Sequence, residues 1–398
     1  MAGKIIVSGA GCCLVDMLYN DIDFSSDAMK SFLSVKRGDG GLTPGHLVFR
    51  EEFEKFSGVP FDQALIRITR GKNHDKINIG GPSIVSLINA AQLTGEDRCE
   101  VRYYGRGGND EPGRYLMDAL GKTPVVLKDF KLTGSETPST IVLSDPGYEG
   151  GHGERIFINS IGAAWEYGPE NLPDDFFDAG IVVFGGTGLV PQIHDNLATL
   201  LKKAKSRGCI TVVNTVFDFR NEKANPDKKW PLGESDESYA CTDLLITDRE
   251  EALRLSGEKT THDALEFFRT GGVSSLMITN GSKNIILWSD GKFFTRKGIT
   301  EMPVSEKVIS ERKTFAGGDT TGCGDNFAGG VIASVVNQMV SGNSQPDITE
   351  ACSRGVVSGG YTCFYLGGTY FEEQRGEKRL KMEPYYEAYR KQTGDHIQ

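Results

Sequence analysis

The sequence lacks both of the common glycine-rich phosphate loops. The pattern GxxxxGK(S/T) occurs nowhere, and the run from Gly9 to Leu14 misses the last glycine of the dinucleotide pattern GxGxxG. The eight cysteines form no CxxC pair, and no histidine has the spacing of a zinc site. These absences disfavour nicotinamide dehydrogenases, P-loop enzymes and zinc proteins, and they indicate reduced, mostly buried thiols.

Long apolar runs and an excess of basic residues are also missing. No stretch approaches the roughly 20 apolar residues of a membrane span, and residues 1–7 are too short an apolar run for a signal peptide. With 44 basic and 54 acidic residues the formal charge is −10, which opposes general binding to nucleic acids or anionic membranes. We therefore expect a cytoplasmic protein with neither kind of partner.

The most informative segment that is present is the glycine-rich run 314–330, which leads into apolar residues at helical spacing. It predicts a loop that feeds a buried helix ending near Gly342. A helix N-terminus offers unpaired N–H groups to an anion, and Gly322 and Gly324 allow close backbone approach. Asp325 places a carboxylate beside this cradle, as a base acting on a nucleophile requires. A plain turn with Asp as a helix-starting residue remains the alternative for the loop alone.

The second half of the chain alternates apolar runs with amphipathic ones. Predicted strands and helices are 181–184, 193–208, 210–213, 244–247, 249–255, 264–268 and 276–279. Strands that are apolar throughout and separated by helices predict a parallel sheet covered on both faces. Ligands bind such sheets beyond the carboxyl ends of the strands. Besides the glycine-rich run, we expect the loops 9–16, 248–251 and 280–282 at that edge.

The first 160 residues are less regular. A long charged segment spans residues 20–74, and a polar, glycine-rich stretch spans 145–154. Such segments are typical of lids or edge sheets. We place the lid segments within 17–78 and 130–162, and expect exposed lid strands to favour a homodimer.

Five motifs occur in the order found in the ribokinase-like, or pfkB, family of carbohydrate and nucleoside kinases. Residues 319–332 resemble the family's signature around its GAGD loop, and 79–93 resemble its GG motif and helix. The remaining three are a GxxGxDxxG turn at 104–113, an NxxE segment at 247–252 and a TxG turn at 279–281. The resemblance implies one three-layer α/β/α domain over 1–398, with a largely parallel central sheet and a small β lid.

By this resemblance the protein is an ATP-dependent kinase that phosphorylates an alcohol group of a small sugar or sugar derivative. Asp325 would be the general base, and the amides of Gly322, Cys323 and Gly324 would stabilise the transferring phosphoryl group. The nucleotide and metal residues implied are Thr279, Gly281 and Thr320 for ATP, and Glu251 with Asp248 for Mg²⁺. An acidic first helical turn is the alternative reading of Glu251 and Asp248. A monovalent cation stays open as a further cofactor.

On the acceptor side the resemblance implies Asp16, Gly80 and Gly81, and Arg155 is similar to a loop arginine that faces the phosphates. The family's Asn is replaced by Val85, which cannot bond a hydroxyl. Asn89 lies four residues later on the same helical face, so we expect it to replace part of that contact.

Two other functions remain open. The long segment before Gly80 is similar to adenosine-kinase-like members, so a nucleoside acceptor is an alternative. Its base would need an aromatic slot, for which Phe49, Phe53, Phe56 and Phe61 are available. The substitutions at positions 85, 248 and 323 also allow a ligand-binding member of the fold without turnover.

Overall fold

The computed structural model describes residues 4–36, 38–151, 154–315 and 318–394. The strands, in chain order, are β1 (Ile5–Gly11), β2 (Leu14–Tyr19), β3 (Leu47–Phe49), β4 (Lys76–Gly80), β5 (Cys99–Gly108), β6 (Val126–Thr133), β7 (Ser139–Asp145), β8 (Glu154–Ser160), β9 (Ile181–Gly185), β10 (Ile210–Asn214), β11 (Leu244–Asp248), β12 (Ser275–Thr279), β13 (Ile285–Ser289) and β14 (Lys297–Met302).

The helices separate most of these strands. They are α1 (Asp27–Lys30), α2 (Arg50–Ser57), α3 (Phe61–Thr69), α4 (Pro82–Thr94), α5 (Glu111–Gly121), α6 (Tyr148–Gly151), α7 (Pro191–His194), α8 (Leu197–Ser206), α9 (Phe219–Ala224), α10 (Glu237–Ala240), α11 (Arg249–Ser256), α12 (Thr261–Thr270), α13 (Glu306–Arg312), α14 (Cys323–Val340), α15 (Ile348–Tyr361) and α16 (Glu377–Thr393). Short 3₁₀ turns lie at Gly162–Glu166, Pro169–Asn171, Asp174–Phe177, Thr187–Leu189 and Thr362–Phe364. No helix within the described ranges is long and apolar enough to cross a membrane.

Nine strands form a large sheet in the order β14-β13-β12-β11-β10-β9-β1-β5-β6. The strands from β6 to β12 in this order are parallel, and β13 and β14 are antiparallel. All five residues of β9 are buried, as a strand covered on both faces requires. The predicted parallel sheet is therefore confirmed.

Alternate residues of the strands fill two separate cores. Ile181 and Val183 pack in a core with α4, α14, α15 and α16, whereas Val182 and Phe184 pack in one with α8, α11 and α12. This alternation follows from the two-residue period of a strand. Helices thus cover both faces of the large sheet, in the three-layer α/β/α arrangement that the sequence predicts.

A second, small sheet has five strands in the order β3-β8-β7-β2-β4. It has its own core, in which Phe53 and Phe61 pack against Ile141 and Ile158. Most of the segments predicted to form a lid contribute to this sheet. Residues 130–133 do not, because they complete β6 at the edge of the large sheet.

Two sequence predictions differ from the structure. Residues 9–16 are not one loop, since β1 runs to Gly11 and β2 begins at Leu14 after only Cys12 and Cys13. The chain therefore passes from the large sheet into the small sheet almost without a break. The helix predicted at 193–208 is two helices, α7 and α8, because Asn196 has φ −131° and interrupts the helical backbone.

Candidate active site

The glycine-rich loop, residues 318–324, ends at the N-terminus of α14. Gly322 precedes the helix with φ +75°, and a Cβ there would lie 2.5 Å from the Cα of Gly368. The position therefore requires glycine both for its backbone angle and for its close contact. The N–H of Cys323 donates to the Thr320 carbonyl at 3.3 Å, which closes the turn. The N–H of Asn326 donates to the Gly322 carbonyl at 2.9 Å. The N–H groups of Gly324 and Asp325 come before the first intrahelical bond and can face an anion.

Asp325 lies in this first turn and is half-buried. Removal from water raises the pKa of its carboxyl well above the ordinary value, to about 7. A carboxylate with this pKa can accept a proton at neutral pH. The structure therefore places a carboxylate with a raised pKa in the first turn of α14, directly after the glycine-rich loop.

Asp16 supplies a second carboxylate from β2 of the small sheet and is 8% exposed. Burial raises its pKa to about 7, with further increases from Asp325 and Asp319, against a hydrogen bond from Thr140. Asp16 is therefore within electrostatic range of both carboxylates. This relates the small sheet, through Asp16, to the start of α14, where Asp325 lies.

Gly80 and Gly81 allow Asp16 to take this position. A Cβ on Gly80 would overlap the carboxylate of Asp16. Gly81 has φ +104°, and a Cβ on it would lie 2.6 Å from the Cys12 carbonyl oxygen. The crossing from β1 to β2 therefore packs directly on the turn between β4 and α4.

Glu251 and Asp248 lie where β11 passes into α11. Asp248 caps the helix by accepting the N–H of Glu251 at 2.8 Å, and Glu251 accepts a hydrogen bond from Thr215. Burial, followed by repulsion from Asp248, raises the pKa of Glu251 well above its ordinary value. The ionised form of such a group gains from a nearby cation, and carboxylate oxygens are the ligands that Mg²⁺ prefers. The donor set therefore fits Mg²⁺, with Asp248 also serving as a cap.

The described residues contain no group of three or more metal-ligating side chains. Mg²⁺ itself usually takes one or two carboxylates and completes its coordination with phosphate and water. Thr279, at the end of β12, lies in register beside Asp248. Gly281 follows in a turn with φ +56°, and a Cβ there would meet open space. These two residues therefore border the same edge of the sheet as the acidic pair.

Arg155 lies in β8 of the small sheet and reaches the glycine-rich loop. Its guanidinium donates to the hydroxyls of Thr321 at 2.6 Å and Thr320 at 3.1 Å, and lies 3.7 Å from the Asp319 carboxylate. Arg155 was expected in a loop but lies in a strand. It reaches the end of the site where we expect the phosphates. It also holds Thr320, so that hydroxyl is already bonded within the protein.

Asn89 does not join the other predicted acceptor residues. It is 1% exposed, and its side-chain amide donates to the Asn326 carbonyl and the Ser358 hydroxyl, both at 2.7 Å. Asn89 lies four residues after Val85, which is about 6 Å further along the helix axis. This displacement puts Asn89 in the contact between α4 and α14. The structure therefore corrects the expectation that Asn89 makes the acceptor contact that Val85 cannot make.

The four phenylalanines considered for a base slot separate into different environments. Phe53 and Phe61 are buried in the core of the small sheet. Phe56 packs against the turn at Gly41. Phe49 pairs edge to face with Phe219, with ring centroids 6.3 Å apart. Of the four, Phe49 alone packs against a core of the large sheet, where it contacts Phe219 of α9.

Sequence reasoning did not identify Thr215, which bonds Glu251, or Asn326, which follows Asp325. Asn326 donates to the carbonyls of Gly322 at 2.9 Å and Gly368 at 2.8 Å. Its place beside the predicted base was the available signal. Thr215 gave no such signal, because it follows β10 and comes close to Glu251 only when β10 pairs with β11.

Comparison with known families gives a match to the description "pfkB family carbohydrate kinase" over residues 71–375. The chain belongs to the pfkB family. The matched residues include the glycine-rich loop, Asp325 and Glu251, but not Asp16.

Among curated proteins, the cytidine kinase of Thermococcus kodakarensis is 22% identical over 173 residues, which are 44% of this chain and 54% of that protein. The chain thus spans about half the length of the curated relative it matches.

Solved structures of kinases share the fold. Adenosine kinase from Sinorhizobium meliloti has a TM-score of 0.66 at 18% identity, covering 96% of this chain and 100% of that one. Adenosine kinase from Schistosoma mansoni, in complex with 2-fluoroadenosine, has a TM-score of 0.67 at 17% identity over 92% and 97% of the two chains. Arabidopsis thaliana ribokinase, complexed with ribose and ATP, has a TM-score of 0.62 at 17% identity over 96% and 99%.

Proposed function

We propose that this pfkB protein transfers the γ-phosphate of ATP to an alcohol group of a small sugar or sugar derivative. The observation that carries the proposal is Asp325, a carboxylate with a pKa of about 7 in the first turn of α14, opposite Asp16. An acid beside an anion cradle has no use in holding the anion. It can instead remove the proton from a hydroxyl group that attacks the bound phosphate.

In the proposed reaction Asp16 binds hydroxyls of the acceptor and orients one of them toward Asp325. Asp325 takes the proton of that hydroxyl as the hydroxyl oxygen attacks the γ-phosphorus. The bond between the γ-phosphorus and the β–γ bridging oxygen breaks, and ADP leaves. Backbone N–H groups at the start of α14 face the phosphoryl oxygens and stabilise their charge without reorganising. Glu251, with Asp248, would hold Mg²⁺, which neutralises phosphate charge when it is bound.

We further propose that the small sheet acts as a lid over this site. Arg155 supports this role because it already joins β8 to the glycine-rich loop through Thr320 and Thr321. A lid in this position excludes water, which would otherwise compete with the acceptor for the phosphoryl group. It also brings Asp16, on the same sheet, toward Asp325.

A nucleoside acceptor is the second candidate. The pair of Phe49 and Phe219 favours it, because aromatic rings can pack against a planar base. The adenosine kinases among the structural neighbours are consistent with this choice. Burial of Phe53 and Phe61 counts against it, since these rings are not free to form a slot. We therefore keep a sugar as the first choice.

The test is release of ADP with Mg²⁺ and ATP across a panel of sugars, sugar acids and nucleosides. We expect turnover with a sugar or sugar derivative, and a loss of about 10²- to 10⁴-fold in Asp325→Asn. Asp118→Asn is the matched control, because this carboxylate is 71% exposed and pairs only with Lys122 one turn along the surface of α5. It should retain wild-type turnover.

The other outcomes each reject part of the proposal. Turnover with nucleosides alone would select the second candidate. No acceptor-dependent ADP from any class would favour a ligand-binding protein without turnover. Activity that survives Asp325→Asn would reject Asp325 as the base.

A further inference from the structure

Asn326 forms hydrogen bonds with polar groups from several segments. Its side-chain amide donates to the carbonyls of Gly322 and Gly368, at 2.9 and 2.8 Å. Its backbone carbonyl accepts from Asn89 of α4 at 2.7 Å. The residue is 1% exposed and directly follows the proposed base. Its side chain thus ties the residue that starts α14 to the segment that follows α15.

The side-chain oxygen of Asn326 is bound by a buried lysine. Lys378, in the first turn of α16, is 0% exposed, and its ammonium donates to this oxygen at 2.7 Å. Tyr365 lies 3.3 Å from both groups, and the ammonium lies 5.5 Å from its ring centroid. Burial lowers the pKa of Lys378 to about 7, against the opposing effect of Glu372. A buried amine needs such partners, because an unpaired one would be costly.

The hydrogen-bonding chemistry of lysine determines which end of the Asn326 amide faces it. A side-chain amide can present either its oxygen or its NH₂ to a neighbour, whereas a lysine ammonium can only donate. In its ammonium form Lys378 therefore requires the Asn326 oxygen to face α16. The NH₂ group must then face the carbonyls of Gly322 and Gly368. In the opposite orientation the amide oxygen would face two carbonyl oxygens, which repel it.

We propose that Lys378 is a positioning residue for the active site: by fixing the orientation of the Asn326 amide, it holds Gly322 and the first turn of α14 in place. The helix near the C-terminus thereby sets the geometry of the anion cradle and of Asp325, neither of which Lys378 touches. The effect on turnover rests on the proposed kinase function. The effect on the backbone of the loop does not.

The alternative is that Lys378 only fastens α16 to the rest of the fold. Loss of the lysine would then lower stability and leave turnover of the folded protein unchanged. Its effect would also be independent of Asn326. Positioning predicts instead that the two residues act as a pair, since Lys378 reaches the loop through the Asn326 amide.

The experiment compares Lys378→Met with Lys381→Met. Lys381 lies on the same helix, is about half-exposed, and pairs with Glu377 and Tyr370 rather than with the loop. For Lys378→Met we expect kcat to fall about 10- to 100-fold, the range for loss of a charged hydrogen bond, with much smaller changes in KM. Hydrogen–deuterium exchange of the amides of residues 319–329 should also become faster. Lys381→Met should change neither kcat nor this exchange.

A double-mutant cycle separates positioning from fastening. In an Asn326→Ala background, Lys378→Met should cause little further loss of kcat, because the group it acts through is gone. Independent losses that multiply would overturn the proposal. So would wild-type exchange at residues 319–329 in Lys378→Met.

If Lys378→Met does not fold, Lys378→Gln provides the test. Glutamine keeps a donor but loses the charge and also carries an acceptor, so it holds the Asn326 amide in this orientation less strongly than lysine does. Faster exchange at residues 319–329 is expected, and a folded variant with wild-type exchange and turnover would overturn the proposal. If the wild-type protein shows no turnover with any acceptor, the proposed function fails, while exchange still decides the positioning role.

Discussion

The two ends of the proposed cleft are built in different ways. The phosphate end comes from one continuous segment, the glycine-rich loop and the start of α14, and it presents mainly backbone groups. The acceptor end combines the Asp16 side chain on β2 with Gly80, at the end of β4, and with Gly81, which follows it before α4. Strands β2 and β4 pair in the small sheet. One end is therefore specified locally and the other by long-range packing. Changes at the two ends should alter different kinetic quantities.

Among changes that compare the two ends, the largest effect is expected at Gly322, compared with Gly324. Gly322→Ala combines φ +75° with a Cβ 2.5 Å from Gly368, whereas a Cβ on Gly324 meets nothing within 4 Å. The strain of a left-handed alanine, about 1–2 kcal/mol before the contact is counted, should lower the melting temperature by several degrees. The displaced cradle should lower kcat by about 10²-fold.

Gly324→Ala should leave the melting temperature unchanged or slightly higher, because alanine favours a helix more than glycine does. Calorimetry and ADP release measure both variants. Equal melting temperatures for the two would contradict the view that Gly322 holds the phosphate end together.

At the acceptor end, Gly80→Ala should raise the KM for the acceptor about 10- to 100-fold, because its methyl group displaces the Asp16 carboxylate that binds hydroxyls. The KM for ATP should change little. Steady-state kinetics with each substrate varied in turn make the measurement. Gly121→Ala is the control, since a Cβ at this helix end meets nothing within 4 Å. Equal increases in both KM values would mean that the two ends are not independent.

The dependence on pH should report both ends together. A base acts only when deprotonated, and the pKa values of Asp325 and Asp16 are raised to about 7, so activity is lost as pH falls through 7. Below that pH, kcat/KM should fall about tenfold per unit if one group must be ionised, and more steeply if both must be. The two carboxyls repel each other, so the apparent values belong to the pair.

Profiles from pH 5.5 to 8.5 in the wild type and in Asp16→Asn make this test. Removing the Asp16 charge should reduce the steepness to one proton and shift the midpoint to lower pH. A flat wild-type profile across this range would contradict a base with a pKa of about 7.

The smallest effect is expected for Cys323→Ala. Cys323 lies in the glycine-rich segment, but the proposed chemistry uses the backbone there and not the thiol. A hydrogen bond with Cys363, at 3.6 Å between the sulfur atoms, followed by burial, raises the pKa of the Cys323 thiol, so it stays protonated at neutral pH. Turnover should remain within about twofold of wild type, as for a small change that removes no needed contact. A loss comparable to that of Gly322→Ala would show that the side chain takes part.

The large sheet and the phosphate end could be predicted because their signals are local. Apolar runs mark β9 to β12, and the glycines before α14 mark the loop that leads into this buried helix. The same spacing also gave the approximate end of α14, at Val340. Each of these features depends on residues within a few turns of one another.

The acceptor end could not be predicted to the same degree. The passage from β1 into β2 looks like a loop in the sequence, because the pairing of Asp16 with Asn78 is formed by residues far apart in the chain. The burial of Asn89 depends on Gly329 of α14, which lets the two helices approach. Helical spacing alone shows which residues share a face, and does not show what covers that face.

The position of β1 in the sheet affects how the chain folds during synthesis. The strand lies in the interior of the large sheet, where Val7 pairs with Val101 of β5 on one side and Ile181 of β9 on the other. During synthesis β5 emerges long before β9, so one edge of a largely buried strand stays open while roughly 80 further residues are added. Open apolar edges promote association between nascent chains. Fragments that end before β9 should therefore aggregate, and chaperones that bind extended apolar strands should be needed until Ile181 has emerged.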